Sequence, residues 1–558
     1  MKTSNAAKVE SPSIVARFAE RESPHDNVAK PVILSDGRLL GLSLQTTGNK
    51  QEMFGRYSKD NGYSWSVPQF LFALPEHVGG FGYFYAFADR DGEVHVFYLN
   101  DGNTGVILPK SPDEKGVREG NVLDIWHVVS RHGATEWSHA KSIWTGRAGD
   151  PLSVIQLKSG RILFPISYMT PRSWSNRGGG FKEFEYVGTF STSAIYSDDG
   201  GKTWIQSSDE LVVAVPDLST IGGMEPVVLE LQDGRVWMLI RTQLGRFYES
   251  FSQDGGEHWT RPKPSSITAS ESPAALVRLP NQDILMIWNE ARRYAYAYGG
   301  RQVLHAAISS DEGRTWRGHR EIFRDPARKD PPPPSGDWGI SYAFPVVARD
   351  GAVIFSAWVE TGNARHMFRL DPRWLIETRQ ATDFSTGLDD WTVFGTRGVE
   401  LVRVGQQSKS VLSIRRSDPE WPAGAVWNFP IGRAGTLKLR LMLRDGFGGN
   451  TLGLTDHYSV PFDGRDVFHN VFNFPIRPDG VLLGKKLTVN VWHDLEFRWD
   501  TARRVCTVQV DGKRIGSVDS QHVSRGINYL RFHATPEEPD SGLLVQSVQA
   551  DVSEGWPR

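Results

Sequence analysis

Glu225 and Arg241 are charged residues set against apolar runs, Gly223-Met224-Glu225-Pro226-Val227-Val228-Leu229 and Met238-Leu239-Ile240-Arg241. Burying a charge without a partner costs several kcal/mol. The two must therefore pair or face a wet cavity. A carboxylate held in this way can do proton chemistry, and a guanidinium beside it can hold an anion. Asp150, in Arg147-Ala148-Gly149-Asp150-Pro151, opens another strand and is a second candidate carboxylate, with a turn-forming role as the alternative. His25, with Asp26 and Asn27, precedes the first inner strand, and His77 lies in a later loop. Both imidazoles are candidates for the same mouth, with a solvated role as the alternative. Arg292 and Arg293 lead into Tyr294, Tyr296 and Tyr298 beside Arg301, a stretch that suits sugar contact or a solvated rim equally.

A repeat sets the elements that position these residues. The pattern Ser-x-Asp-x-Gly-x-(Thr/Ser/His)-Trp starts at Ser58, Ser197, Ser252 and Ser309, with a degenerate copy at Ser130. Each copy follows a strand-like run. Its Asp can accept bonds from the backbone just ahead, its Gly takes positive φ, and its Trp restarts an extended segment. These turns read as fold staples and not as ligand sites. Asp60-Asn61-Gly62 lacks the spaced ligands and closing Glu of a calcium loop, and no metal or other cofactor is implied.

The copies begin 55 to 72 residues apart, enough for one four-stranded unit each, and such repetition implies a β-propeller. Strand-turn-strand signals run from Val32 to Leu40, Phe84 to Tyr98, Ser153 to Pro165, Val227 to Ile240, Ala275 to Trp288 and Phe344 to Trp358. They imply six blades over residues 1–378. Ile14-Val15-Ala16-Arg17-Phe18 is the strand expected to close the ring. Insertions at 101–120, 168–187 and 325–337 read as loops on one rim, where binding surfaces lie.

From Asp383-Phe384-Ser385 the boxes stop. Short alternating strands then follow one another through turns such as Asp445-Gly446 and Asp511-Gly512. Residues 383–558 read as a jelly-roll or lectin-like β-sandwich, which makes the whole chain all-β. Trp391, Trp421, Trp427, Trp492 and Trp499 read as core residues, with sugar stacking as the alternative.

Composition narrows the function classes. The 558 residues include 56 Gly and 19 Trp, and helical amphipathic stretches are scarce. A net charge of −2 gives no pull towards nucleic acid or an anionic membrane. The single cysteine, Cys506, allows no intramolecular disulfide. Residues 1–30 carry charges throughout and lack the apolar core of a signal peptide. A signal removed beforehand would leave the same picture, so secreted, periplasmic and cytoplasmic locations all stay open. No run of 18 apolar residues offers a membrane span.

The boxes, their spacing and the segments between them resemble the sialidase (neuraminidase) superfamily over roughly residues 12–370. The resemblance places Glu225 and Arg241 on neighbouring strands facing a central funnel. Gly300-Arg301 is similar to the segment that supplies another funnel arginine, and Ser341-Tyr342 resembles the one that carries the family's tyrosine. It implies a neutral tyrosine nucleophile, Tyr342, activated by Glu225, because a carboxylate nucleophile would be repelled by the substrate's own carboxylate. Two family features are absent. Ala29-Lys30-Pro31 stands where an Arg-Ile-Pro motif is expected, and residues 45–52 contain no acid/base aspartate. A relative adapted to another sugar is the reading that follows.

The leading expectation is an exo-acting glycoside hydrolase acting on the end of an oligosaccharide or polysaccharide. Glu225, Tyr342 and Asp150 would be its catalytic residues. Arg241, Arg301, His25, His77 and Arg293 would be its substrate contacts. A lyase on a uronic-acid polymer, with a Tyr or His base and an Arg neutraliser, is the second reading. A non-catalytic glycan-binding protein is the third.

Overall fold

The computed structural model describes residues 9–18, 30–47, 50–75, 81–101, 123–131, 134–175, 185–213, 222–291, 300–325, 339–359, 364–393, 397–405, 409–461 and 463–553. The chain is all-β, and its first two thirds form a six-bladed propeller of antiparallel sheets. The inner strands, in blade order, are Lys30–Ile33, Phe81–Ala88, Ile155–Gln156, Met224–Glu230, Ala275–Arg278 and Ile340–Val347. The sixth blade has only three consecutive strands of its own. Its outer strand is Ser13–Phe18, which runs antiparallel to Ala364–Leu370, so the ring closes through the segment expected from the sequence.

The boxes show how eight residues specify a blade turn. In the third blade the Ser197 hydroxyl accepts from Gly201 N–H at 2.8 Å and donates to Asp199 at 2.8 Å. Asp199 in turn accepts from the Thr203 amide at 2.9 Å and the Thr203 hydroxyl at 2.6 Å. Those bonds hold its carboxyl well below the usual carboxylate range, the Thr203 hydroxyl most of all. Trp204 Nε1 closes the turn on the Gly201 carbonyl at 3.0 Å. The copies at Ser58 and Ser252 repeat the same bonds.

Apolar side chains fill the gaps between neighbouring blades. Val32, Leu40 and Leu42 of the first meet Phe84, Val94 and Val96 of the second. Leu157 and Leu163 of the third meet Val228, Val236 and Met238 of the fourth. Burying such faces is the main stabilising term for a fold whose sheets are each too small to stand alone.

The chain divides into two compact units, Met1–Asn289 with Ile340–Pro372, and Glu290–Gly339 with Arg373–Arg558. The second holds a β-sandwich. One sheet is built around Ala434–Leu443, Trp492–Asp500 and Leu543–Val552, the other around Gly424–Gly432, Asn450–Thr455 and Ile527–Ala534. Trp391, Trp427 and Trp499 lie buried in the core between them with Phe429, Phe474 and Phe497. Those three indoles are core residues and not exposed platforms, while Trp421 and Trp492 keep partial exposure. Cys506 is also buried there, and burial pushes its thiol far up from its ordinary value. Among the described residues no helix is long and apolar enough to cross a membrane.

Candidate active site

Three inner strands carry the same irregularity, in the second blade between Phe81 and Phe84 and in the two blades that build the site. In the fourth blade the register passes from Met224↔Arg241 to Val227↔Leu239, and in the sixth from Ser341↔Trp358 to Phe344↔Ser356. Each step spends one more residue on the inner strand than on its partner, which is a β-bulge, and bulges re-aim side chains. The residues caught in the fourth- and sixth-blade bulges are Glu225, with φ +48°, and Tyr342, with φ +57°. A left-handed conformation costs a non-glycine residue on the order of 1–3 kcal/mol, and such strain clusters at functional sites. Among the described residues most other left-handed non-glycine positions lie in turns, such as Asn61 and Glu312 in boxes.

Neighbouring side chains hold both strained residues. Glu225 N–H donates to the buried Ser167 hydroxyl at 3.0 Å. The buried Arg365 donates from Nη1 to the Tyr342 carbonyl at 2.8 Å and lies over the Phe344 ring. Gly149 makes room for the first of these supports, because a Cβ there would sit 2.4 Å from Ser167 Oγ. A Gly149→Ala variant is expected to displace that hydroxyl and leave the Glu225 amide without its acceptor. A hydrogen bond of this kind is worth about 1–3 kcal/mol when a buried group is left unmade. Denaturant unfolding should show that loss.

The two re-aimed side chains meet. Tyr342 Oη donates to Glu225 Oε1 at 3.0 Å. Arg241 Nη1 donates to Glu225 Oε2 at 2.5 Å and to Tyr342 Oη at 3.0 Å. Arg241 Nη2 donates to Glu271 Oε1 at 3.2 Å. Glu225, Arg241 and Glu271 are all buried, at 3%, 5% and 4% exposure. Burial opposes the charge on Arg241, but Glu225, Tyr342 and Glu271 outweigh it and hold the guanidinium well above its ordinary range. The phenol oxygen thus accepts from a cation and donates to a carboxylate.

Asp150 belongs to the same electrostatic group. Burial, and then the charge of Glu225, push its carboxyl up to about 8, against the opposing pull of Lys30, Arg241 and Arg365. Lys30 lies on the faces of Phe344 and Phe84 and is buried at 1% exposure. Burial, and then Arg365, lower its ammonium well below the ordinary lysine value. The segment where the family resemblance expects Arg-Ile-Pro therefore holds a buried lysine, at the position that aligns with the isoleucine, one residue after the expected arginine. Tyr85 packs against Phe344 at 5.8 Å, and burial raises its phenol to about 12.

Of the residues expected from the sequence, the structure brings Glu225, Tyr342 and Arg241 into direct contact and sets Asp150 within reach of their charges. Arg301 belongs to the second unit, buried at 1% exposure, with its backbone bridged to Gly339. His25, His77 and Arg293 lie outside the described residues, as do Asp26 and Asn27. Sequence reading did not pick out Glu271, Ser167 or Arg365, and it took Lys30 only as a departure. The one signal for Glu271 is an acid in the small-residue run Ala269-Ser270-Glu271-Ser272. Elsewhere, Asp89, Glu93 and His95 gather on a second-blade hairpin with metal-ligand atom types. There His95 already bonds Asp89 at 3.3 Å and His127 at 2.9 Å.

The family described as BNR repeat-like domain matches residues 84–355. A sialidase of Micromonospora viridifaciens is 23% identical over 313 residues, which cover 50% of this chain and 42% of that protein. The chain thus spans less than half the length of that relative. Among solved structures, a Dyadobacter fermentans protein of unknown function is 17% identical with a TM-score of 0.43, covering 65% of this chain and 97% of its own. A Trypanosoma rangeli sialidase in complex with sialic acid is 15% identical with a TM-score of 0.42, covering 97% of this chain and 96% of its own. The propeller is sialidase-like, and sialidases are its distant relatives.

Proposed function

We propose that this protein is an exo-acting glycoside hydrolase whose nucleophile is Tyr342, activated by Glu225. The observation that carries the reading is the convergence of two strained residues from different blades. Glu225 and Tyr342 are each turned out of a bulged inner strand, and they meet at 3.0 Å with Arg241 on both. Fold stability alone gives no reason to spend strain twice on one contact. In the proposed reaction the Tyr342 oxygen attacks the anomeric carbon as its proton passes to Glu225 Oε1. Arg241 Nη1 stabilises the charge wherever it resides during that transfer. Asp150, protonated at neutral pH, gives its proton to the leaving oxygen and then takes one from the water that attacks the anomeric carbon, while the Tyr342–sugar bond breaks and the phenol recovers its proton from Glu225.

The test is a panel of aryl glycosides and natural oligosaccharides offered to the wild type and to Glu225→Gln. Loss of turnover in the variant by about 10²-fold or more supports the site. Unchanged turnover removes it. The same tyrosine beside Arg241 would also serve a lyase on a uronic-acid polymer, with the phenolate as base. A lyase product carries a new double bond and absorbs in the ultraviolet, whereas a hydrolase product does not.

A further inference from the structure

We infer that Glu271 is a positioning residue for this reaction, which fixes the free arm of Arg241 so that the guanidinium stays on both Tyr342 and Glu225 while the proton moves between them. The inference rests on the reading of Tyr342 and Glu225 as the reacting pair. Arg241 is shared. Nη1 faces Glu225 and Tyr342, and Nη2 faces Glu271 at 3.2 Å. When Tyr342 passes its proton to Glu225, the negative charge moves from the carboxylate to the phenol oxygen. A guanidinium held only by Glu225 and Tyr342 would be drawn towards the new phenolate at that moment. One held by Glu271 from the other side keeps its place and meets the new phenolate without rotating.

The segment that carries Glu271 is built for such a task. It follows the strand Lys263–Thr268, and its flanking residues, Ser270 and Ser272, are buried. Ser270 N–H donates to the Asn289 carbonyl at 3.0 Å, and the Ser272 hydroxyl donates to Asn289 Oδ1 at 2.7 Å. Asn289 Nδ2 donates in turn to the Ile340 carbonyl at 2.8 Å. Ile340 opens the strand that turns out Tyr342 two residues later. Glu271 and Tyr342 are therefore tied to one frame, and the spacing between the Arg241 support and the nucleophile is fixed through Asn289.

Two measurements test this. The first is a double-mutant cycle in thermal stability with Glu225→Gln, Glu271→Gln and the double variant, and it needs no substrate. A shared guanidinium keeps one carboxylate in each single variant and none in the double. The double should therefore lose more in Tm than the two single losses added. Additive losses overturn the sharing. The second is steady-state kinetics of Glu271→Gln on a substrate that the wild type cleaves. The expected result is a fall in kcat of about tenfold to a hundredfold with KM little changed, and recovery of most of that loss in Glu271→Asp. A coupled cycle with unchanged kcat describes an ion network without a positioning role and overturns the inference. If Glu225→Gln retains full turnover, the proposed reaction itself fails, and the cycle still reports on the sharing.

Discussion

Tyr342→Phe is expected to lose turnover on every substrate the wild type cleaves, by on the order of 10³-fold or more, with KM little changed. The substitution removes one oxygen and leaves the ring. Arg241 keeps its 2.5 Å bond to Glu225 Oε2, and Arg365 keeps the Tyr342 backbone in place through its carbonyl, so the variant should fold like the wild type. What it loses is the atom that accepts from Arg241 at 3.0 Å and donates to Glu225 Oε1 at 3.0 Å. No other described hydroxyl stands between that cation and that carboxylate. The complementary measurement is on the wild type. After a rapid quench, intact mass should show one sugar unit added, and fragmentation should place it on Tyr342. A Phe variant that still turns over at the wild-type rate sinks the nucleophile assignment. Loss of turnover without a sugar adduct, together with an ultraviolet-absorbing product, transfers Tyr342 to the role of a lyase base.

The parts of this machine differ in how far they could be read from residues. The blades were legible because each box contains its own turn chemistry. Ser197, Asp199, Gly201 and Trp204 bond one another within eight residues, and nothing distant is needed to recognise them. The closing strand was legible for a similar reason, since a sixth hairpin lacked one strand and the run from Ile14 to Phe18 could supply it. Glu225 stood out as a charge in an apolar strand. The rest of the site depends on register. That Glu225 and Tyr342 face each other follows from two bulges, each a single extra residue, which leave no mark in hydrophobic patterning. Ser167, Arg365 and Glu271 are ordinary residue types whose partners lie 58, 23 and 30 residues away in the chain. Lys30 was visible as a departure from a motif, but the aromatic rings of Phe84 and Phe344 that enclose it come from two other blades.

Asp150→Asn should separate good leaving groups from poor ones. An acid that protonates the departing oxygen contributes about 10²–10⁴-fold where that oxygen is basic and little where it is not. Natural oligosaccharides should therefore lose activity by that factor, and activated aryl glycosides should lose far less. The pH dependence follows from the same carboxyl. Asp150 is raised to about 8 by burial and by Glu225, so it is protonated at neutral pH and gives up its proton as pH climbs through that value. Wild-type turnover of oligosaccharides should fall across this range, and the alkaline limb should vanish in the Asn variant on activated substrates. Stability has a matching sign. A folded-state pKa above the ordinary carboxylate value means that the native protein binds a proton more tightly than the unfolded chain. The stability this contributes is full below about pH 4 and is lost as pH rises towards 8. Asparagine carries no such penalty, so the variant should gain on the wild type between pH 4 and pH 8, by more than the roughly 1.4 kcal/mol that one pKa unit is worth. Denaturation midpoints of the two proteins at both ends of that range read the difference directly. If the midpoints stay parallel and the alkaline limb persists in the variant, the proton that leaves near pH 8 is not on Asp150, and the acid/base role must pass to another group.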